Sequence, residues 1–462
     1  MTELKSWSKY PGIFAQILAT ISGTLAAVSA GMQYGWTAPV IPLLQSEDTP
    51  VLIHESDIIW LENMYMYSAF IGLPFTIFSC NKFGGKKAIL ISSCQNLIAW
   101  LLTAFAVNIE MLYVARFITG FASNVIFISA PMYIGEIADE KIRGFLGSFI
   151  HVLMQVGIIV IYAVAPFVSL MASSLVGACF LIVHLITFPF MPESPYYLLL
   201  IGKIDEALKS LQRLRARNDV EEEFKEISAA VERQKEERGK IIDLFIVESN
   251  RKAFIIMSIL NAAQQFSCVA VMAMNIHTIL GDAASVLPPS TVAIIFSIIM
   301  LIATIVSACL VDKVGRRILL SSSSLLTGLS ILILASYFAV KNARMDISSC
   351  TWIPVFAMIM YAASFKYGLG MVPIVMTGEL FPTSVKGMGM TFADGVYIIC
   401  SAISIYVYKY LSEGFGTHVP FFIFACSGLL TALFVIFYIP ETKGKTLEEI
   451  QIMLKKNEQI GL

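Results

Sequence analysis

Charge is what this sequence has least of. Asp, Glu, Lys and Arg make up only 14% of its 462 residues, against 57% apolar, and the mean hydropathy is +0.76. Soluble domains carry about a quarter charged residues, so most of this surface does not face water. The net charge of -1 offers no basic surface to a nucleic acid. Cysteine is sparse as well: there are eight, mostly inside apolar runs, with no CxxC pair. That spacing excludes a zinc site and a secreted disulfide framework. No Asn-x-Ser/Thr glycosylation acceptor occurs. There is no nucleophile–base motif, phosphate-binding glycine loop or metal cluster, so neither an enzyme nor a cofactor is expected. Gly368-Leu-Gly370 follows no strand and is not a dinucleotide fingerprint. The polar start, MTELKSWSKYPG, leads into an apolar run long enough to span, without a cleavage site, so no signal peptide is expected.

What is present is a succession of apolar runs. A spanning helix needs about 20 largely apolar residues, and twelve segments qualify: 14–36, 60–80, 88–107, 112–135, 145–168, 174–191, 253–280, 289–311, 318–340, 352–377, 388–411 and 419–439. Hydrocarbon offers unpaired backbone no partner, so each is expected to be helical. The fold class expected is therefore an all-α membrane protein of twelve transmembrane helices. One long charged stretch, 202–252, separates the sixth and seventh spans and reads as short amphipathic helices outside the bilayer. The division is a first six-helix bundle at 1–200, a helical linker at 201–251, a second bundle at 252–440 and a tail at 441–462.

Lys and Arg set the orientation. One set of short loops holds Lys82, Lys86, Lys87, Lys141, Arg143, Lys313, Arg316, Arg317 and Lys386; the other holds Lys341, Arg344 and Lys409. The first set, the linker and both termini are expected in the cytoplasm. The acidic loop 46–57, with Glu47, Asp48, Glu55 and Asp57, is expected outside.

The two halves repeat. Asn81-Lys-Phe-Gly-Gly-Lys-Lys87 has its partner in Asp312-Lys-Val-Gly-Arg-Arg317, Gly135-Glu-Ile-Ala-Asp-Glu-Lys-Ile-Arg-Gly144 in Gly378-Glu-Leu-Phe-Pro-Thr-Ser-Val-Lys-Gly387, and Pro192-Glu-Ser-Pro195 in Pro440-Glu-Thr-Lys443. Parallel repeats of this kind can rock about a midplane cavity. Gly84 and Gly315 permit tight turns, and the loop cations can pair with Glu136 and Glu379 at neighbouring helix ends. Such pairs would latch the cytoplasmic side; alternatively, any single loop cation only enforces topology.

These motifs, with Arg116, Gly120, Pro131-Met-Tyr-Ile-Gly-Glu136, Gln264-Gln265 and Pro440-Glu-Thr-Lys-Gly-Lys445, resemble the sugar porters of the major facilitator superfamily. The match runs over about residues 15–450. Tyr34-Gly-Trp-Thr-Ala-Pro39 and the short tails are similar to the insect trehalose and glucose facilitator branch. The resemblance implies a plasma-membrane, monomeric transporter for a small polyhydroxy solute, trehalose or a hexose, embedded in the lipid bilayer. It implies a cytoplasmic salt-bridge latch of Glu136, Arg143, Asp312, Arg316, Arg317, Glu379 and Lys386. It places Gln264 and Gln265 on solute hydroxyls, to which an amide offers both donor and acceptor. Other expected cavity positions depart from the family pattern: His151 stands for a glutamine, Ala270, Met300 and Tyr397 for asparagines, and Ile374 for a tryptophan. Gln155 and Asn275 are candidates to compensate. Met32 stands where proton-coupled relatives carry an acid, so facilitated diffusion is expected.

Lys366 and Asp394 fall inside spans, where a charge is costly and marks function unless it is paired or hydrated. Lys366 would favour an anionic or polyhydroxy solute, or else pair with a nearby acid. His151, His184 and His277 in or near spans could serve proton coupling. The altered cavity leaves two further readings open, a non-sugar transporter for an organic anion or polyol and a sugar receptor that moves nothing.

Overall fold

The computed structural model describes residues 12–46, 51, 53–236, 240–282, 287–345, 350–382, 385–443, 445 and 447–456. Its first half contains α1 (Ile13–Tyr34), α2 (Thr37–Leu44), α3 (Glu55–Ala104), α4 (Ile109–Ile137), α5 (Glu140–Val164) and α6 (Leu170–Thr187). Short helices follow: α7 (Pro195–Leu200), α8 (Ile204–Arg215), α9 (Glu221–Glu236) and α10 (Asp243–Ile246). The second half contains α11 (Glu248–Phe266), α12 (Val269–Asp282), α13 (Pro289–Val314), α14 (Arg316–Asn342), α15 (Ile353–Tyr367), α16 (Val372–Leu380), α17 (Lys386–Phe415), α18 (His418–Tyr438) and the tail helix α19 (Leu447–Lys456). No strand occurs among the described residues.

Among the described residues, eleven helices are long and apolar enough to cross a membrane by length and composition. The twelfth is the first arm of α3, residues 55–83, which carries the buried polar residues Glu62, Asn63, Ser68, Thr76 and Ser79. α3 folds back at Gly84, whose φ of 78° and ψ of 169° interrupt the helix. Gly315, with φ 103° and ψ 157°, makes the matching turn between α13 and α14. Both torsions lie where L side chains are strained.

Two spans read as continuous are broken. Segment 253–280 is α11 and α12, interrupted at Ser267 and Cys268, the latter at φ 74°. Segment 352–377 is α15 and α16, separated at Gly368–Met371. At this second break Gly368 lies so close to α14 that an added Cβ would approach the Ser323 Cβ to 2.6 Å. Pro373, at the start of α16, supplies no N–H to continue the ladder. The freed backbone groups find partners, as buried backbone must. Tyr361 donates to the Ser267 carbonyl at 2.8 Å, and the Leu369 N–H donates to Ser323 Oγ at 2.7 Å.

Small residues let the helices approach. Gly31 of α1 packs on the Met154 carbonyl of α5, and Gly157 of α5 on the Val28 carbonyl of α1. Gly177 of α6 seats the Trp100 ring, and Gly328 meets Gly428 where α14 crosses α18. Outside the bundles, Leu198, Ala207, Leu211, Val220 and Ile227 form a small apolar core under α7, α8 and α9. Arg215 fixes this unit to the first half, with ion pairs to Asp139 at 3.1 Å and Glu223 at 2.6 Å and a bond to the Ile137 carbonyl at 2.9 Å. Glu47 and Asp48 lie outside the described residues.

Candidate functional site

The two helix breaks meet, and the glutamine pair sits beside them. Gln264 Nε2 donates to the Leu369 carbonyl at 2.7 Å, which ties α11 to the break before α16. Gln265 is fully buried, and neither polar atom of its amide has a partner of hydrogen-bonding geometry. It lies beside Tyr397 of α17, which in turn lies beside Tyr34 of α1. The Tyr34 hydroxyl is also buried without a regular partner. The Gln265 amide and the Tyr34 hydroxyl, one from each half, thus converge on Tyr397, and their polar atoms lack partners of regular hydrogen-bonding geometry. Burying such groups without partners costs about 1–3 kcal/mol each, which makes the cluster suited to a hydroxyl-bearing molecule.

Other residues singled out above lie around it. His151 of α5 and Lys366 of α15 face each other from opposite halves, close enough to interact electrostatically. Each is half-buried, and Lys366 makes no ion pair among the described residues. Asp394 is half-buried on α17 and does not pair with Lys366. Gln155 is buried and donates across the halves to the Ser297 carbonyl at 3.4 Å. Asn275 lies on α12, beyond the break, against Glu62. Ile374, 43% exposed, lies on α16. Ala270 and Met300 are buried. His184 is bound to the Ser22 carbonyl at 2.7 Å and stacks on Phe188, a packing role.

The two halves are tied together on one side of this cluster. Thr37 donates to the Met274 carbonyl at 3.4 Å, Tyr162 to the Ala273 carbonyl at 2.5 Å, and Tyr67 to the Tyr406 hydroxyl at 2.5 Å.

At the helix ends on the other side, carboxylates brace both glycine turns. Arg316 Nη2 pairs with Glu379 at 2.7 Å, and Thr442 donates to the same carboxylate at 2.6 Å. Glu441 accepts the Arg316 and Arg317 backbone N–H groups at 3.0 Å each, at the N-terminus of α14. Burial alone would raise the Glu441 carboxyl, but the N–H bonds from Arg316, Lys443 and Arg317 and the Arg316 charge hold it below the usual range. The Arg317 side chain reaches the Ile436 carbonyl. In the first half, Glu193 accepts from the Lys86 backbone in the equivalent place, and burial pushes its carboxyl up despite that bond. Lys86 Nζ donates to the Pro189 and Met191 carbonyls at 2.8 and 2.6 Å, and Glu136 lies by Ser194. The side chains of Arg143, Asp312 and Lys386 lie outside the described residues.

Two charged residues had a weaker place in the sequence reading than the structure gives them. Glu62, inside the second span, is 2% exposed; a carboxylate in an apolar run was the available signal. Arg116 is equally buried, bound to the Leu61 and Gln33 carbonyls at 3.1 and 2.8 Å and lying over the Trp36 and Tyr65 rings.

Twelve helices in two halves, broken helices beside a glutamine pair, and carboxylate-braced turns define a transporter of the major facilitator type. The chain belongs to the sugar (and other) transporter family, whose profile matches residues 19–454. It is 30% identical over 455 residues to a facilitated trehalose transporter of Apis mellifera ligustica, covering 97% of this chain and 90% of that protein. A facilitated trehalose transporter of Polypedilum vanderplanki is 29% identical over 447 residues, covering 95% and 88%. In fold the chain is similar to the inward-open xylose transporter XylE from E. coli, with a TM-score of 0.76 at 20% identity, covering 95% of this chain and 98% of that one. XylE bound to 6-bromo-6-deoxy-D-glucose, a proton:xylose symporter, gives 0.74 at 22% identity, covering 94% and 99%. The protein is thus a membrane transporter, not an enzyme.

Proposed function

We propose that the protein is a facilitator of a small polyhydroxy solute, trehalose or a hexose, working by alternating access without proton coupling. The observation that carries this is the Gln265 amide, buried between the halves with its hydrogen-bonding capacity unspent. A site built this way favours solutes whose hydroxyls pair with it and rejects those that leave it unpaired. The trehalose transporters among the relatives support the same class. The absence of coupling rests on α1, which carries no Asp or Glu and has fully buried Met32 near its end. On this reading, bundles 1–200 and 252–440 rock about the cluster, with 201–251 as the linker and 441–462 as the tail. The solute contacts are Gln264, Gln265, His151, Gln155, Asn275, Lys366 and Ile374, and the ties at Glu136, Arg143, Asp312, Arg316, Arg317, Glu379 and Lys386 hold the cytoplasmic side. The protein acts as a monomer in the plasma membrane, both termini inside.

A second reading has one specific observation behind it: Lys366 makes no ion pair among the described residues, so an anionic solute would supply the missing charge. Labelled uptake of trehalose, glucose, a polyol and an organic anion into cells separates the two. Sugar uptake lost in Gln265→Ala supports the proposal. Anion uptake alone, lost in Lys366→Ala, supports the second reading; no uptake by surface-expressed protein points to a receptor.

A further inference from the structure

The extracellular closure concentrates on three consecutive residues of α12. Ala273 and Met274 receive Tyr162 and Thr37 from the first half. Asn275 comes next, and the first-half group that meets it is the carboxylate of Glu62, on the first arm of α3. Glu62 Oε1 and Asn275 Nδ2 are both buried, and neither has a regular hydrogen bond. An acceptor and a donor thus lie together across the seam between the halves. Two cations are in electrostatic reach of the same carboxylate: Lys409 of α17, in the second half, and Arg116 of α4, in its own. Arg116 is fixed by two backbone carbonyls and two aromatic rings. Lys409 also pairs with Glu413 at 2.7 Å. Of the other titratable groups nearby, His277 packs edge-on against Tyr162 and Tyr65 lies under Arg116.

A solute entering from outside must pass between α12 and the first-half helices that cover it. Every contact in this strip therefore breaks when the site opens outward. A carboxylate is suited to such a contact. In a dry seam its attraction to Asn275 and the cations is strong; once water enters, the same groups are solvated separately and the attraction falls. We propose that Glu62 is a gating residue: its carboxylate, beside Asn275 of the second half and within electrostatic reach of Lys409 and Arg116, holds the extracellular side shut and releases on each outward opening. This role holds whichever solute is carried.

The test is accessibility of the seam from outside in the full-length protein. Thr37 is fully buried at the closure, so Thr37→Cys, with the unmodified protein as blank, reports opening to a membrane-impermeant maleimide. In that background Glu62→Gln and Lys409→Met each raise the labelling rate by at least about fivefold, the lower range of coupling between conformational states. The double variant E62Q/K409M labels no faster than the faster single one, because the two changes remove one interaction. Asn275→Leu, on the other half, raises labelling as well and serves where a Glu62 variant fails to reach the membrane. A purely structural Glu62 lowers thermal stability without changing labelling. Unchanged labelling in Glu62→Gln or, if that variant is not made, in Asn275→Leu, or strictly additive effects in the double variant, would overturn the proposal.

Discussion

At the scale of single residues, the polar groups that face no water decide the account. Gln265 can exchange up to two hydrogen bonds with a solute, each worth about 1 kcal/mol net, so Gln265→Ala is expected to reduce sugar uptake at limiting concentration by about tenfold or more. Gln264→Ala acts differently, since its amide holds the Leu369 carbonyl; it should lower the thermal midpoint of the purified protein as well as uptake. Glu441 gives a pH dependence. Its carboxyl is held below the usual range, so its stabilisation is fully present above its unfolded value of about 4.3 and is lost as pH falls through the lower folded value. Glu441→Gln should remove that part of the acid sensitivity, measured as melting temperature against pH between about 3 and 6.

The elements explain why some of this was legible in the sequence and some was not. Spans, repeats and turns announce themselves through apolar length and matched glycines, because a bilayer and a positive φ tolerate few alternatives. The first arm of α3 is a span despite Glu62 and Asn63, since its polar side chains are buried against protein rather than exposed to lipid. Helix breaks are quieter. Cys268 adopts φ 74° with no glycine to signal it, because the partner that holds the break, Tyr361, lies 94 residues away in the chain. Glu62 likewise gains meaning only from Asn275 and Lys409, which the sequence does not place beside it. At this scale the turn at Gly315 is the sharpest test. Alanine there must accept φ 103° and a Cβ 2.7 Å from Glu441 Oε2, at a cost of about 1–3 kcal/mol. Gly315→Ala should therefore lower the melting temperature clearly more than Gly202→Ala. Gly202 has φ 79° but open space around its Cβ position.

For the whole molecule, the proposed alternating access makes this arrangement one half of a cycle. Three hydrogen bonds tie the halves together on one side of the glutamine cluster. Alternating access requires the converse state, in which the Thr37, Tyr162 and Glu62 contacts part and the cytoplasmic ends approach. A facilitator needs no energy source for that exchange and moves its solute only down a gradient. Relatives in this fold include a proton symporter, so coupling is the property on which the account is most exposed. The direct measurement is labelled trehalose flux into proteoliposomes holding the purified protein, with and without an inward proton gradient. The account predicts that trehalose equilibrates to the outside concentration at the same level in both, and that Gln265→Ala slows the flux by about tenfold or more. Accumulation above the outside concentration under the proton gradient would contradict it.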